Sequence, residues 1–199
     1  MNANKTKPEK EPFLHTVYDF AEMLVLAIIV VFLLFMTTAR PCRVDGASMN
    51  NTLTHNEMLL ISDLFYTPRA GDIVVFHQTS ELDMRFNEPI IKRVIAVGGQ
   101  FVKIESERGQ VYVSDDDTFT ENEILNEPYI YLEGGVLEDD FGISGKVTKV
   151  PEGSVFVMGD NRNNSADSRY FVIGTVDCRR ILGRAILRLT PLNKFGAVQ

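Results

Sequence analysis

Residues 23–36 read MLVLAIIVVFLLFM, fourteen positions with neither a charge nor an amphipathic period, and the apolar run continues through Thr37, Thr38 and Ala39. Counted over 21–39 it has nineteen residues, which as a helix rising about 1.5 Å per residue span about 28 Å, close to a hydrocarbon core of about 30 Å. The pattern predicts one transmembrane helix, with Glu22 near an interface. A removed signal peptide is the rival reading, but its apolar region covers only about 7–15 residues and ends in a small-x-small exit that Thr37 and Ala39 merely approach. A buried core helix is the other. Lys5, Lys7 and Lys10 precede the run and Arg40 and Arg43 follow it, three against two, which orients the N-terminus toward the cytoplasm.

After the run the pattern changes to short stretches rich in Val, Ile and Phe, bounded by Gly, Pro or Asp: 57–63, 72–77, 90–97, 101–105, 110–114, 154–158 and 184–189. They read as strands. Residues 106–109 separate two alternating runs as a hairpin loop does, and 68–71 and 151–153 are Pro-led turns into strands. With no long 3.6-residue period beyond the anchor, the prediction is a mainly β protein: antiparallel sheets coiled as a barrel or sandwich. Between 105 and 140 stand twelve acidic residues and one basic, Arg108. That stretch reads as the solvated acidic face of an inserted smaller subdomain, and Asp115–Asp117 lack the spacing of a calcium loop. The division expected is a cytoplasmic tail at 1–16, an anchor at 17–39, a catalytic domain at 40–104 and 150–199, and the acidic insertion at 105–149.

Composition narrows the function classes. The 199 residues carry a net charge of −7, the wrong sign for displacing counterions along nucleic acid. Two cysteines, Cys42 and Cys178, are too few for a disulfide framework and lack zinc-site spacing. They read as idle thiols or a single bridge. Of three histidines only His55 and His77 follow the anchor, and no HExxH occurs, so no metal site is expected.

Three patches hold chemistry: Asp45-Gly46-Ala47-Ser48-Met49; Ile90-Ile91-Lys92-Arg93-Val94-Ile95-Ala96; and the polar run 159–169, GDNRNNSADSR. Singly they also read as a surface turn, a strand with snorkelling cations and a self-capping loop. Strand alternation assigns Ile90, Lys92 and Val94 to one face and Ile91, Arg93 and Ile95 to the other. An amine flanked by Ile and Val is desolvated, burial disfavours its ammonium form, and a neutral lysine is a base able to take the proton of a serine hydroxyl without any histidine.

In this order the patches resemble the boxes of bacterial type I signal peptidases, membrane-anchored Ser-Lys endopeptidases, and the likeness covers nearly the whole chain. Ser48-Met49 with Thr52-Leu53 resembles the nucleophile box, 71–76 a supporting strand, 92–96 the box with the base, and 159–169 the last box, GDN-R-x-x-S-x-D-S-R, without a mismatch. The resemblance implies Ser48 as acyl-forming nucleophile, Lys92 as general base, and the Ser48 N–H as oxyanion donor. It further implies that Ser165 orients the amine and that Asp167 and Arg169 pair to hold the loop. The chain differs in Asn51, where Pro is common, in Gly98-Gly99-Gln100, where Pro-Gly-Asp is common, and in Gly46, where some members carry a serine assisting the oxyanion.

The function implied is removal of signal peptides from exported preproteins at the outer face of the plasma membrane, with no cofactor and with preproteins and the bilayer as partners. Small residues before the cut require shallow apolar pockets, for which Val44, Met49, Leu53, Ile90 and Ile91 are candidates by nearness to the dyad. Two further readings stand beside this one: a non-catalytic anchored β-module, and a self-cleaving Ser-Lys protease, a class that is soluble. A sortase-like enzyme needs Cys, His and Arg together, and neither cysteine has that context.

Overall fold

The computed structural model describes residues 12–78, 88–138 and 142–198, the side chains at 12–14, 34–38 and 133 excepted. The chain divides into two compact units, one ending at Thr38 and the other starting at Ala39. The first holds α1 (Pro12–Thr38). Its window His15–Leu33 has a mean hydropathy of 2.2 and no residue buried, unlike the mostly buried core helix of a soluble protein, and so apolar a helix suits lipid. It is long and apolar enough to cross a membrane. Relative to the apolar run it extends back to Pro12 and stops one residue short, because Ala39 is already strand. The lysines at 5, 7 and 10 on which the orientation expectation rests lie outside the described residues.

In the second unit the strands are β1 (Ala39–Arg43), β2 (Met58–Ser62), β3 (Ile73–His77), β4 (Pro89–Val97), β5 (Phe101–Glu105), β6 (Gln110–Ser114), β7 (Val147–Lys149), β8 (Ser154–Met158), β9 (Val176–Asp177), β10 (Ile181–Thr190) and β11 (Gly196–Ala197). The larger sheet has the order β1-β2-β10-β3-β4-β8-β9, with β11 on β10, and the smaller is β6-β5-β7. Every ladder between them is antiparallel. All seven predicted strands occur. β1 was not legible because it reads ARPCR: as an edge strand it tolerates Pro41, which has no N–H to give the ladder, and it needs no apolar alternation. β7, β9 and β11 are two or three residues long, too short to leave a pattern.

The centre of the larger sheet explains its sequence. β3 reads IVVF before His77 because both of its faces are covered. Ile73 and Val75 join Val44, Met49, Leu53, Leu59, Ile61, Ile91 and Ala185 in one cluster, while Val74 and Phe76 join Val94, Val155, Val157, Ile173 and Val176 in another. Each such side chain contributes about 1.5–3 kcal/mol on full burial. Along β4 the predicted alternation holds as far as Val94, with Ile91 in the first cluster and Ile90 against the second. There the register against β8 slips, from Val94 opposite Val157 to Ala96 opposite Phe156. Through this bulge at Ile95 the strand re-aims its side chains, and Ile95 and Ala96 both enter a third cluster shared with Val102, Ile104 and Val111 of the smaller sheet. Cys42 and Cys178 are both free.

Candidate active site

Ser48 lies in the loop between β1 and β2. Met49 and Leu53 hold that loop from below, buried in the first cluster, and its base is closed by Val44 N–H to Glu57 O and Asn56 N–H to Val44 O, each 2.9 Å. From above, Asn161 donates its N–H to Ser48 O at 3.0 Å and its side-chain amide to Ala47 O at 3.1 Å. Lys92 comes from the middle of β4, opposite Val74 of β3. Its Nζ is 2.8 Å from Ser48 Oγ and 3.0 Å from Ile91 O, and the residue is 4% exposed. Burial is the main reason that its pKa falls to about 8. Asp167 and Asp160 oppose that fall, and Arg169 adds to it. An amine at this pKa is partly neutral near pH 7, and within hydrogen-bond reach of a hydroxyl it has the position and basicity of a general base.

The run 159–169 follows β8, and because Met158 faces Arg93 of β4 its first residues emerge beside the lysine. Asp167 is its hub. Oδ1 accepts from Arg169 Nε at 2.8 Å, and Oδ2 accepts from Arg169 Nη2 at 2.9 Å, from Gly159 N–H at 3.0 Å and from the Ser165 hydroxyl at 2.8 Å. Burial works against the ionised carboxylate, yet Arg169 and these donors bring its pKa below the usual value. The expected pairing of Asp167 with Arg169 is therefore present as geometry. The expected contact of Ser165 with the amine is not present among the described residues: the Ser165 hydroxyl donates to Asp167, and there Lys92 bonds Ser48 and Ile91.

A second ionic centre lies alongside. Asp160 accepts from Arg93 through both carboxylate oxygens, at 2.9 and 2.7 Å, and from the Thr52 hydroxyl; Arg93 also donates to Gly71 O at 2.8 Å. Its guanidinium lies over the Tyr129 ring, 3.9 Å from the centroid. Glu127 forms a bidentate pair with Arg162 and accepts from the Tyr129 hydroxyl at 3.0 Å. Sequence reading missed Glu127 and Tyr129. They stand in the stretch read as a solvated acidic face, where no spacing separates a buried carboxylate from its exposed neighbours. Arg162, one of the matched positions of the last box, was the available hint, since a buried guanidinium requires an acid.

A cleft of about 160 Å³ opens at the dyad between 43–49 and 88–92, lined by Val44, Gly46, Ser48, Met49, Ile90, Ile91 and Lys92 among others. Four of the five candidate pocket residues are among them. Leu53 is not: it is wholly buried and supports the Ser48 loop from the core. Gly46 has φ of +89°, a conformation that favours glycine, and its N–H donates to His55 Nδ1 at 3.3 Å, so it is engaged rather than free for an oxyanion. Among the described residues none accepts a hydrogen bond from the Ser48 N–H. No group of three or more His, Cys, Asp or Glu among them could hold a metal ion.

Comparison with known proteins gives one consistent result. Residues 17–190 match the family described as signal peptidase, peptidase S26. A probable signal peptidase I-1 of Synechocystis is 34% identical, with 87% of this chain and 83% of that one covered. A signal peptidase I of Bacillus amyloliquefaciens is 30% identical, with 96% and 97% covered. A solved signal peptidase I from Enterococcus faecalis is 26% identical, with 60% of this chain and 97% of that one covered and a TM-score of 0.39.

Proposed function

Since the chain belongs to the signal peptidase family, peptidase S26, whose members cleave signal peptides, we propose that it does so on exported preproteins at the outer face of the plasma membrane, with Ser48 as nucleophile and neutral Lys92 as general base. The observation that carries this reading is the 2.8 Å separation of Lys92 Nζ and Ser48 Oγ around a buried amine of lowered pKa. Lys92 takes the Ser48 proton as Oγ attacks the scissile carbonyl carbon. The ammonium so formed protonates the leaving amine as the peptide C–N bond breaks, and an acyl ester remains on Ser48. Lys92, neutral again, then takes a proton from water, which attacks the ester. The acid is released and the proton returns to Ser48. The Ser48 N–H supplies a donor to the developing oxyanion.

The cleft supports the substrate class. At about 160 Å³ it is smaller than the roughly 300–1,000 Å³ of sites for drug-sized ligands, and with Val44, Met49, Ile90 and Ile91 in its walls it suits small apolar side chains such as Ala before the cut. On this reading 40–104 and 150–199 form the catalytic domain, 105–149 the insertion, and α1 the membrane anchor that keeps the dyad near membrane-held substrates. The test is cleavage of a preprotein by the full chain beside its Ser48→Ala variant. Loss of cleavage with an unchanged melting profile is expected, and retained cleavage would overturn the assignment.

A further inference from the structure

We propose that Glu127 is a positioning residue for the Ser48–Lys92 pair, acting through Arg162 on the loop that grips Ser48. This inference rests on the dyad reading above. Asn161 is the residue that holds the nucleophile loop, through Ser48 O and Ala47 O, and both of its neighbours are tied to the segment 127–131. Tyr131 N–H donates to Asp160 O at 2.8 Å, and Arg162 N–H donates to Tyr131 O at 3.1 Å. The Glu127 carboxylate clamps the Arg162 side chain, which in turn donates from Nε to Gly159 O at 3.2 Å. Arg162 O accepts from Arg169 Nη2 at 2.6 Å, so the clamp also reaches the Asp167–Arg169 pair.

The burial of the pair argues for a positional role. The Arg162 side chain is 0% exposed and that of Glu127 5%, and an ion pair so deeply desolvated contributes little net stability compared with apolar side chains of the same size. It does fix geometry, because the guanidinium has a planar fork that one carboxylate satisfies in one orientation. Tyr129 extends the clamp toward the dyad: its hydroxyl donates to Glu127 and its ring faces the guanidinium of Arg93, the residue next to Lys92. Removing the carboxylate leaves a buried guanidinium that must recruit water, and water entering this loop reaches the surroundings of the amine. The charges facing Lys92 are Asp167, Arg169 and Asp160, all on the clamped loop, together with Arg93 beside it on β4. Of the cleft walls at 43–49 and 88–92 the clamp reaches Ala47 and Ser48 through Asn161 and not the apolar side chains that would seat substrate, so the effect falls on kcat more than on KM.

The experiment compares the full chain with Glu127→Ala, Glu127→Gln and Tyr129→Phe, and with Glu121→Gln as an exposed carboxylate of the same segment outside the clamp. It reads kcat and KM on a signal-peptide substrate across pH 6 to 10, with the melting temperature of each variant. Glu127→Ala is expected to lower kcat about tenfold or more at little change in KM and to move the acid limb of the profile to higher pH, as hydration restores part of the lysine's basicity. Glu127→Gln and Tyr129→Phe follow in smaller measure, and either stands in if the alanine variant does not fold. An acid limb that stays in place, or a loss of rate accounted for by the unfolded fraction, overturns the inference. With Ser48→Ala in the same assay, full activity of that variant would instead sink the dyad reading, whereas an inactive Ser48→Ala beside wild-type-like Glu127 variants sinks this inference alone.

Discussion

A Cβ built on Gly159 would lie 2.2 Å from Ser165 Oγ and 2.5 Å from Ser48 O. The glycine is thus required by close approach of two chain segments: the loop carrying Ser165 and Asp167 and the loop carrying the proposed nucleophile. Gly159→Ala forces one of them away. Overpacking of this kind costs about 1–3 kcal/mol of stability, and a displacement of about 1 Å at a reacting group costs about 100-fold in rate. The expected result is a folded protein with a modestly lowered melting temperature and cleavage reduced about 100-fold. Wild-type cleavage by a folded Gly159→Ala protein would show that the two loops need not touch.

The buried amine leads to a stability prediction opposite in sign to its effect on activity. Its pKa is about 8 in the folded protein against an ordinary 10.5, so between these values the unfolded chain binds the extra proton and unfolding becomes harder as pH rises. Below pH 8 the full cost of burial is present, about 3 kcal/mol at about 1.4 kcal/mol per pH unit. Lys92→Met keeps the volume and removes the charge, so at pH 7 it should raise stability by up to about 3 kcal/mol while abolishing cleavage. The gain should fade between pH 8 and 10.5. Denaturant melts at pH 7 and pH 10 check this; a variant less stable than wild type at pH 7 contradicts it.

The same amine sets the acid limb of activity. On the proposed mechanism cleavage requires the neutral form, so kcat/KM should fall about tenfold per pH unit below about 8, reaching about one hundredth of its plateau near pH 6. Asp167 does not contribute to that limb, because Arg169 and its hydrogen-bond donors hold it below the ordinary carboxylate range despite burial. The profile is measured with a peptide substrate that does not titrate. A rate constant flat down to pH 5 would exclude a neutral lysine as the base.

What could be read in advance and what could not divides along a physical line. The β3 run IVVF and the alternation about Lys92 are local consequences of burying strands, and they identified β4, which carries the amine, and its neighbour β3. The resemblance of the GDNRNNSADSR run to the family's last box pointed to Asp167 and Arg169, whose pairing spans two positions of chain. The rest depends on contacts distant in sequence. The Ser165 hydroxyl donates to Asp167 because an ionised carboxylate is a stronger acceptor than a neutral amine, and composition does not reveal that choice. Leu53 is wholly buried in the cluster from which Val44 and Met49 reach the cleft, a matter of depth that nearness along the chain cannot report. Glu127 meets Arg162 across 35 residues, and nothing in its own neighbourhood marks it.

Removing the helix gives a test of what the anchor contributes. The cut belongs after Thr38, because Ala39 pairs with Ser62 and begins β1; cutting after Ala39 would take a residue from an edge strand. The remaining unit, 39–199, has its own sheets and clusters, so it should fold alone and dissolve without detergent. Nothing in the dyad comes from the helix, so its rate on a short soluble peptide should stay within about tenfold of the full chain. On a preprotein held in a bilayer the two should part, because tethering turns a search through solution into one within a surface layer. An effective concentration in the millimolar range is ordinary for such linkage and can raise overall avidity by about 100-fold or more. The expected ratio of bilayer to peptide cleavage is therefore much higher for the full chain than for 39–199. Equal ratios would mean that the helix does no more than retain the protein at the membrane, and that the substrate reaches the serine without help from a shared surface.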